Sequence, residues 1–306
     1  MTESKSRFQE KIRLGEPVLV VEITPPKGGN PAPLRATAKR FAGKTHAIGV
    51  SDNRHGTRMS ALAASALLVD EGIEPIMHIV TRDRNRLALI ACCLGAQALG
   101  IHNIFCTSGT HQTLGNCPPA KNVFDIDSVQ LIDALTKLGT DASVVCEERI
   151  EDTGPFCIGA VAAPFADPQE MQIMKASKKV VAGAQFLITQ PVFDTQRFGT
   201  WWDAATQRGL PEKTAILAGI QPLLDAEQAK AFASTRPLPM VPQAMLDRLS
   251  AAGDKKAQRA AGIEMAIETI KQISLLKGLR GFQICSEDED EDAVLEVIQR
   301  SGLEVC

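Results

Sequence analysis

The chain has 306 residues, 33 Lys and Arg against 36 Asp and Glu, a formal net charge of -3 and 44% hydrophobic residues, an ordinary globular composition that buries roughly 75% of its unfolded surface at this length. Near-neutrality with scattered Lys and Arg excludes a nucleic-acid or anionic-membrane binder, since either needs a basic face to displace counterions or meet headgroups. No apolar run approaches the ~20 residues of a membrane span, and the N-terminal MTESKSRFQEKIRLGEP lacks the apolar core of a secretory signal, so a cytoplasmic location is expected.

Along the chain, short aliphatic runs alternate with longer helical patterns. The runs are VLVVEI (18–23), HAIGVS (46–51), PIMHIV (75–80), HNIFCTS (102–108), PFCIGAVA (155–162), QFLITQ (185–190), TAILAGI (214–220) and GFQICS (281–286). Each is too short for an average helix and reads as a buried parallel strand. Between them fall helical stretches at 32–42, 57–71, 84–99, 126–138, 168–182 and 195–208. Two extra candidates at 225–234 and 242–251 precede 257–276, and 288–301 closes the chain. Gly43, Gly72, Gly100, Gly183, Gly209 and Gly302 stand where helices end, and glycine accepts the left-handed conformation found there. Strand and helix alternate eight times with no linker to divide them. The expectation is one domain over 1–306: a (β/α)8 TIM barrel with a helical extension at 1–16 and extra helices between strands 7 and 8. A doubly wound open sheet is the alternative.

In a barrel, function gathers where strands end. Glu22 shares a strand face with Val18 and Val20, so its carboxylate sits among apolar neighbours near the mouth. Poor solvation raises a carboxyl pKa, as a general acid working near neutrality needs; equally, such a Glu can be paired with an Arg or Lys inside the barrel. The turn Ser51 to Gly56, with His55, reads as helix-start chemistry. His78 lies in an apolar strand, where a satisfied core histidine is the plainer reading. The small-residue turn Ser108-Gly109-Thr110 can offer backbone amides to an anion. No Walker or GxGxxG sequence follows a strand. Lys175, Lys178 and Lys179 share a helix face, either solvated or clamping phosphate. Gln190 ends the sixth strand with an amide able to donate and accept at a heterocycle edge. The eight cysteines show no CxxC spacing, and the doublet Cys92-Cys93 falls mid-helix, so no metal site is expected.

Taken in order, GEPVLVVEITPP, VSDNRHGTRMSALAA, the region around His78, LGIHNIFCTSGT, AKNVFDIDSVQL, AAPFADPQE, KKVVAGAQFLITQPVFD and AILAGIQPL resemble the methylenetetrahydrofolate reductase family, in its short bacterial form without a regulatory domain. The resemblance implies a barrel enzyme carrying FAD, with FMN as the alternative. NADH or NADPH gives hydride to the flavin and leaves, and methylenetetrahydrofolate is then reduced to methyltetrahydrofolate. It implies Glu22 as the general acid that opens the folate five-membered ring, and Gln190 with Phe193 and Thr110 at the pterin. Flavin contacts are implied for Ser51, His78, Ser108, Gly109, Thr110, Phe124, Asp125, Lys175, Lys178 and Lys179. A homo-oligomer, and an electron-transfer protein as partner, are further implied possibilities.

Two features depart from the family pattern. Ser108-Gly109-Thr110 stands where many relatives read Arg-Gly-Asp or Thr-Gly-Asp, so a negative charge beside the flavin is missing, which favours the oxidative direction. Ala163 and Asp167 replace a tyrosine and a histidine of the enterobacterial form at the adenine end of FAD. The run Glu287 to Asp292 complements the dipole of the last helix and, delivered near the mouth, disfavours phosphate-rich NADPH. Competing readings are a methyltetrahydrofolate-binding barrel that transfers a methyl group without redox chemistry, and a subunit receiving electrons from an iron-sulfur protein.

Overall fold

The computed structural model describes residues 6–54, 56–114, 117–141, 149–235, 241–286, 289–303 and 305. The eight aliphatic runs become β1 (Val18–Ile23), β2 (Ala47–Val50), β3 (Pro75–Val80), β4 (Asn103–Thr107), β5 (Cys157–Ala162), β6 (Phe186–Pro191), β7 (Ala215–Ile220) and β8 (Leu279–Ile284). Each pairs in parallel with the next, and β8 returns to β1 with Val18 opposite Gly281 and Val21 opposite Ile284. The sheet is therefore a closed barrel, and the open-sheet alternative is set aside. The last strand starts two residues earlier than its apolar run, because Leu279 already pairs with Ile216 of β7 before Gly281 meets β1.

Around the barrel run α1 (Arg7–Leu14), α2 (Ala32–Phe41), α3 (Ala61–Asp70), α4 (Arg86–Ala98), α5 (Ser128–Asp141), α6 (Gln169–Val181), α7 (Thr195–Gln207), α8 (Leu210–Lys213), α9 (Ala226–Thr235), α10 (Gln243–Ala251), α11 (Lys255–Ile273) and α12 (Glu291–Ser301). The extra helices before β8 are α9 and α10, as expected, whereas the single turn α8 has no counterpart in the sequence pattern. All six helix-ending glycines have positive φ. The helix expected at 57–71 begins only at Ala61, where the Ser60 hydroxyl accepts the Ala63 N–H at 3.2 Å. Residues 51–54 and 56–59 are left to the barrel mouth.

Two apolar layers hold this together. The outer one lies between sheet and helices; α12, for example, buries Ala293, Val294, Val297 and Ile298 at helical spacing. The inner one fills the barrel. Phe186 stacks on Phe105 with centroids 6.1 Å apart, and its ring takes the space that a side chain on Gly159 would need, 2.1 Å from an added Cβ. Helix α1 closes the end where strands begin. Phe8, fully buried, meets Phe186 edge-on at 5.1 Å, and Ser6 caps the helix through the Gln9 N–H at 2.8 Å while bonding Glu74 and Asn103. With that end plugged, the mouth formed by the strand C-termini is the face left for ligands.

Candidate active site

Alternation along β1 sends Glu22 inward after Val18 and Val20, and its side chain is only 10% exposed. Arg54, from the turn after β2, donates Nη1 to Oε1 at 2.9 Å, and Gln283 of β8 donates Nε2 to Oε2 at 2.5 Å. Burial pushes the Glu22 pKa up, but Arg54, His78 and these two hydrogen bonds outweigh it and hold the carboxyl below its ordinary value. The expectation of a raised pKa is thereby corrected for the ligand-free protein: of the two readings open from the strand pattern, the structure has the paired one. Glycine at position 49 lies between Glu22 and β3; a Cβ there would sit 3.1 Å from His78 Nε2 and crowd the ring, which glycine leaves facing the carboxylate. His78 is buried, and burial lowers its pKa, while the facing Glu22 charge raises it.

Several buried polar atoms at this end lack a hydrogen-bond partner among the described residues: Ser51 Oγ, His78 Nε2, Thr81 Oγ1, Gln190 Oε1 and Gln283 Oε1. Buried polar groups are normally satisfied, so this concentration is where a ligand's donors and acceptors are called for. A cavity of about 210 Å³ starts beside Glu22, Thr24 and Ser286 and runs outward between α2 and α12 past Leu34, Thr37 and Val294. It would take only a fragment of a ligand of ordinary size.

The remaining expected residues scatter by role. Ser108 Oγ meets Ser128 Oγ at 3.2 Å. Gly109, at φ +80, packs so tightly that an added Cβ would lie 2.5 Å from Val80 Cγ1. Thr110 is exposed, its carbonyl accepting from Arg82 Nη1 at 2.9 Å. Phe124 is exposed beside His111, with ring centroids 6.4 Å apart. Asp125 is bound to Arg86 through both side chain and backbone, which draws its pKa down to about 2. The three lysines part company. Lys175 and Lys178 are exposed, while Lys179 turns inward and donates Nζ to the Val161 carbonyl at 2.7 Å. Burial, then the Lys175 charge, lower the Lys179 pKa to about 8. Phe193, two residues after β6, is buried against Phe232 of α9, centroids 6.1 Å apart. Asp167 pairs with Arg197 at 2.7 Å.

Sequence reasoning missed three groups here. Asp52, read as helix-start chemistry, is buried; both its oxygens lie 2.8 Å from Arg84 Nη2, and it accepts the Val80 N–H at 3.1 Å. Arg54 and Gln283 were unmarked because their partner lies 32 and 261 positions away. The acidic run is described only in part. Its first two members, and His55, lie outside the described residues. The other four are each paired: Glu289 with Arg58, Asp290 with Arg259, and Glu291 and Asp292 with Arg40. Asp290 also caps α12 through the Ala293 N–H. Each of these four charges is thus offset in part by a neighbouring guanidinium. Among the described residues no group of three or more His, Cys, Asp or Glu is placed to hold a metal ion, and no helix is long and apolar enough to cross a membrane.

Comparisons with known proteins bear on the family and the fold. The sequence model of a family described as methylenetetrahydrofolate reductase matches residues 7–302. A Caenorhabditis elegans protein named probable methylenetetrahydrofolate reductase (NADPH) is 26% identical over 222 residues, 71% of this chain and 30% of that protein; the chain thus spans about 30% of the length of this curated relative. Among solved structures, an uncharacterized protein from Clostridium thermocellum, described as binding two copies of 5-methyl-5,6,7,8-tetrahydrofolic acid, superimposes with a TM-score of 0.69 at 15% identity, covering 97% of this chain and all of the other. At that identity the likeness carries the fold.

Proposed function

The chain belongs to the methylenetetrahydrofolate reductase family, and from that membership we propose that it interconverts methylenetetrahydrofolate and methyltetrahydrofolate with a bound flavin, FAD or FMN, that exchanges hydride with NADH or NADPH. The observation that carries this reading is the buried carboxyl of Glu22 set among unpartnered polar atoms at one end of the barrel. Those atoms are what a flavin and a pterin, both rich in ring-edge donors and acceptors, would satisfy. The flavin would supply the hydride chemistry; the protein supplies binding, orientation and electrostatics.

Ser51, His78, Ser108, Gly109, Thr110 and Phe124 are the residues we assign to the cofactor, with Lys179 and its neighbours Lys175 and Lys178 as cations for its phosphate. Asp125 acts one contact away, steadying the loop through Arg86. Gln190 reads the pterin edge with its amide, and Phe193 holds the Gln190 loop. Glu22 delivers a proton to a ring nitrogen of the folate, which opens the five-membered ring to an iminium able to accept hydride. In the oxidative direction the same carboxylate takes that proton back. Thr110 places no negative charge beside the cofactor, so its midpoint potential should fall in Thr110→Asp; an unchanged or higher potential removes the case for oxidative tuning.

The test separates the half-reactions. Glu22→Gln should slow the folate half-reaction by about 10² to 10⁴-fold, while reduction of the flavin by NADH keeps its rate. A large loss in both contradicts the role assigned to Glu22.

A further inference from the structure

The proposed acid must carry a proton, yet both Glu22 oxygens are occupied as acceptors in the ligand-free fold. Its two partners differ in kind. Gln283 has a second, unpartnered amide atom, Oε1, buried beside the same carboxyl. A half-turn of that amide exchanges a donor for an acceptor, so Gln283 suits Glu22 with or without a proton. Arg54 has donors only and keeps its charge, so it suits the carboxylate alone.

Position separates them too. Gln283 is fixed in β8, whereas Arg54 stands outside helix and strand, in the turn after β2, with its side chain 26% exposed against 10% for Glu22. A ligand coming from solvent meets the guanidinium before the carboxyl, and moving it asks for side-chain rotation rather than strand movement. The other groups near Glu22 are His78 from β3, whose pKa burial lowers, and the carboxylates Glu289, Asp290 and Glu291, which line the same cavity but are paired with Arg58, Arg259 and Arg40; Gly49 of β2 has no side chain. Arg54 is the strongest of the influences that offset burial at Glu22.

We propose that Arg54 is a displaceable counter-ion: a folate entering the mouth takes the guanidinium off Glu22, and the buried carboxyl then takes up one proton from solvent. That proton goes to the folate ring nitrogen in the reductive direction, leaving the carboxylate with which Arg54 pairs again when product leaves. The inference rests on Glu22 being the acid of the proposed reaction and adds the positioning residue that times its protonation.

The experiment adds methylenetetrahydrofolate to the oxidised holoenzyme without reductant, and measures proton uptake at neutral pH by calorimetry in buffers of different ionisation heat. Infrared difference spectra of the ligand-free proteins report whether Glu22 is protonated. The wild type should take up about one proton on binding, and Glu22→Gln none. Arg54→Gln should show a protonated carboxyl before any ligand is added, absent from the double variant with Glu22→Gln, and take up none on binding. Arg54→Lys should restore the ionised carboxyl. Wild-type binding without proton uptake, an ionised Glu22 in Arg54→Gln, or uptake that persists in Glu22→Gln and so belongs to His78, overturns the inference while the folate reading stands. Failure of the wild type to bind methylenetetrahydrofolate at all overturns the folate reading, and the inference with it.

Discussion

Lys179 illustrates how one side chain acquires a working range from its surroundings. Its ammonium is drawn between α6 and β5 onto the Val161 carbonyl, and burial brings its pKa to about 8. If it holds the phosphate of a flavin nucleotide, affinity should weaken as pH rises through about 8, because the free protein then loses the charge that the anion requires. Equilibrium titrations of flavin nucleotide against pH check this: Lys179→Met should bind weakly and without that dependence. A wild-type affinity flat across the same range assigns the lysine a packing role. The same reasoning explains why Glu22 misleads when read from its strand alone. Desolvation was correctly anticipated from Val18 and Val20, but a counter-charge of opposite effect came from a residue in another loop.

At the scale of elements, α1 is a plug rather than an appendage. Phe8 lies fully buried against Phe186 inside the barrel, so Phe8→Ala should cost about 3–5 kcal/mol in denaturant unfolding, with Phe8→Leu retaining more than half of that. A loss below about 1 kcal/mol, the level of a surface change, would mean that α1 does not hold the barrel closed at that end. The strands were legible because a strand covered on both faces needs an unbroken aliphatic run, and each of the eight runs overlaps its strand. The mouth loop was not. Ser51, Asp52 and Asn53 are the residue types of a helix cap, and only the structure shows that Ser60 does the capping while Asp52 is buried on Arg84. Acidic residues before α12 were read correctly as helix-start chemistry at Asp290, but their Arg partners on α2 and α11 could not be seen from spacing.

Across the whole molecule, closure of the sheet does two things at once. It removes every strand edge, and it brings the first and last strands together so that Glu22 of β1 and Gln283 of β8 share a hydrogen bond. The α1 end is plugged by aromatic packing, while several buried polar atoms without partners lie at the other, the face where this fold places ligands. The family and the fold were within reach of the sequence because they are carried by contiguous stretches; the pairings across the mouth were not, because they join residues that only the closed barrel makes neighbours. The central claim, a folate and a flavin meeting at Glu22, is tested most directly by mixing the purified protein, incubated with flavin, with methyltetrahydrofolate without oxygen and following absorbance near ~450 nm. Bleaching in the wild type, much slowed in Glu22→Gln, is the predicted result. A colourless protein that takes up no added flavin, or a yellow one that methyltetrahydrofolate leaves unchanged while NADH bleaches it, would contradict it.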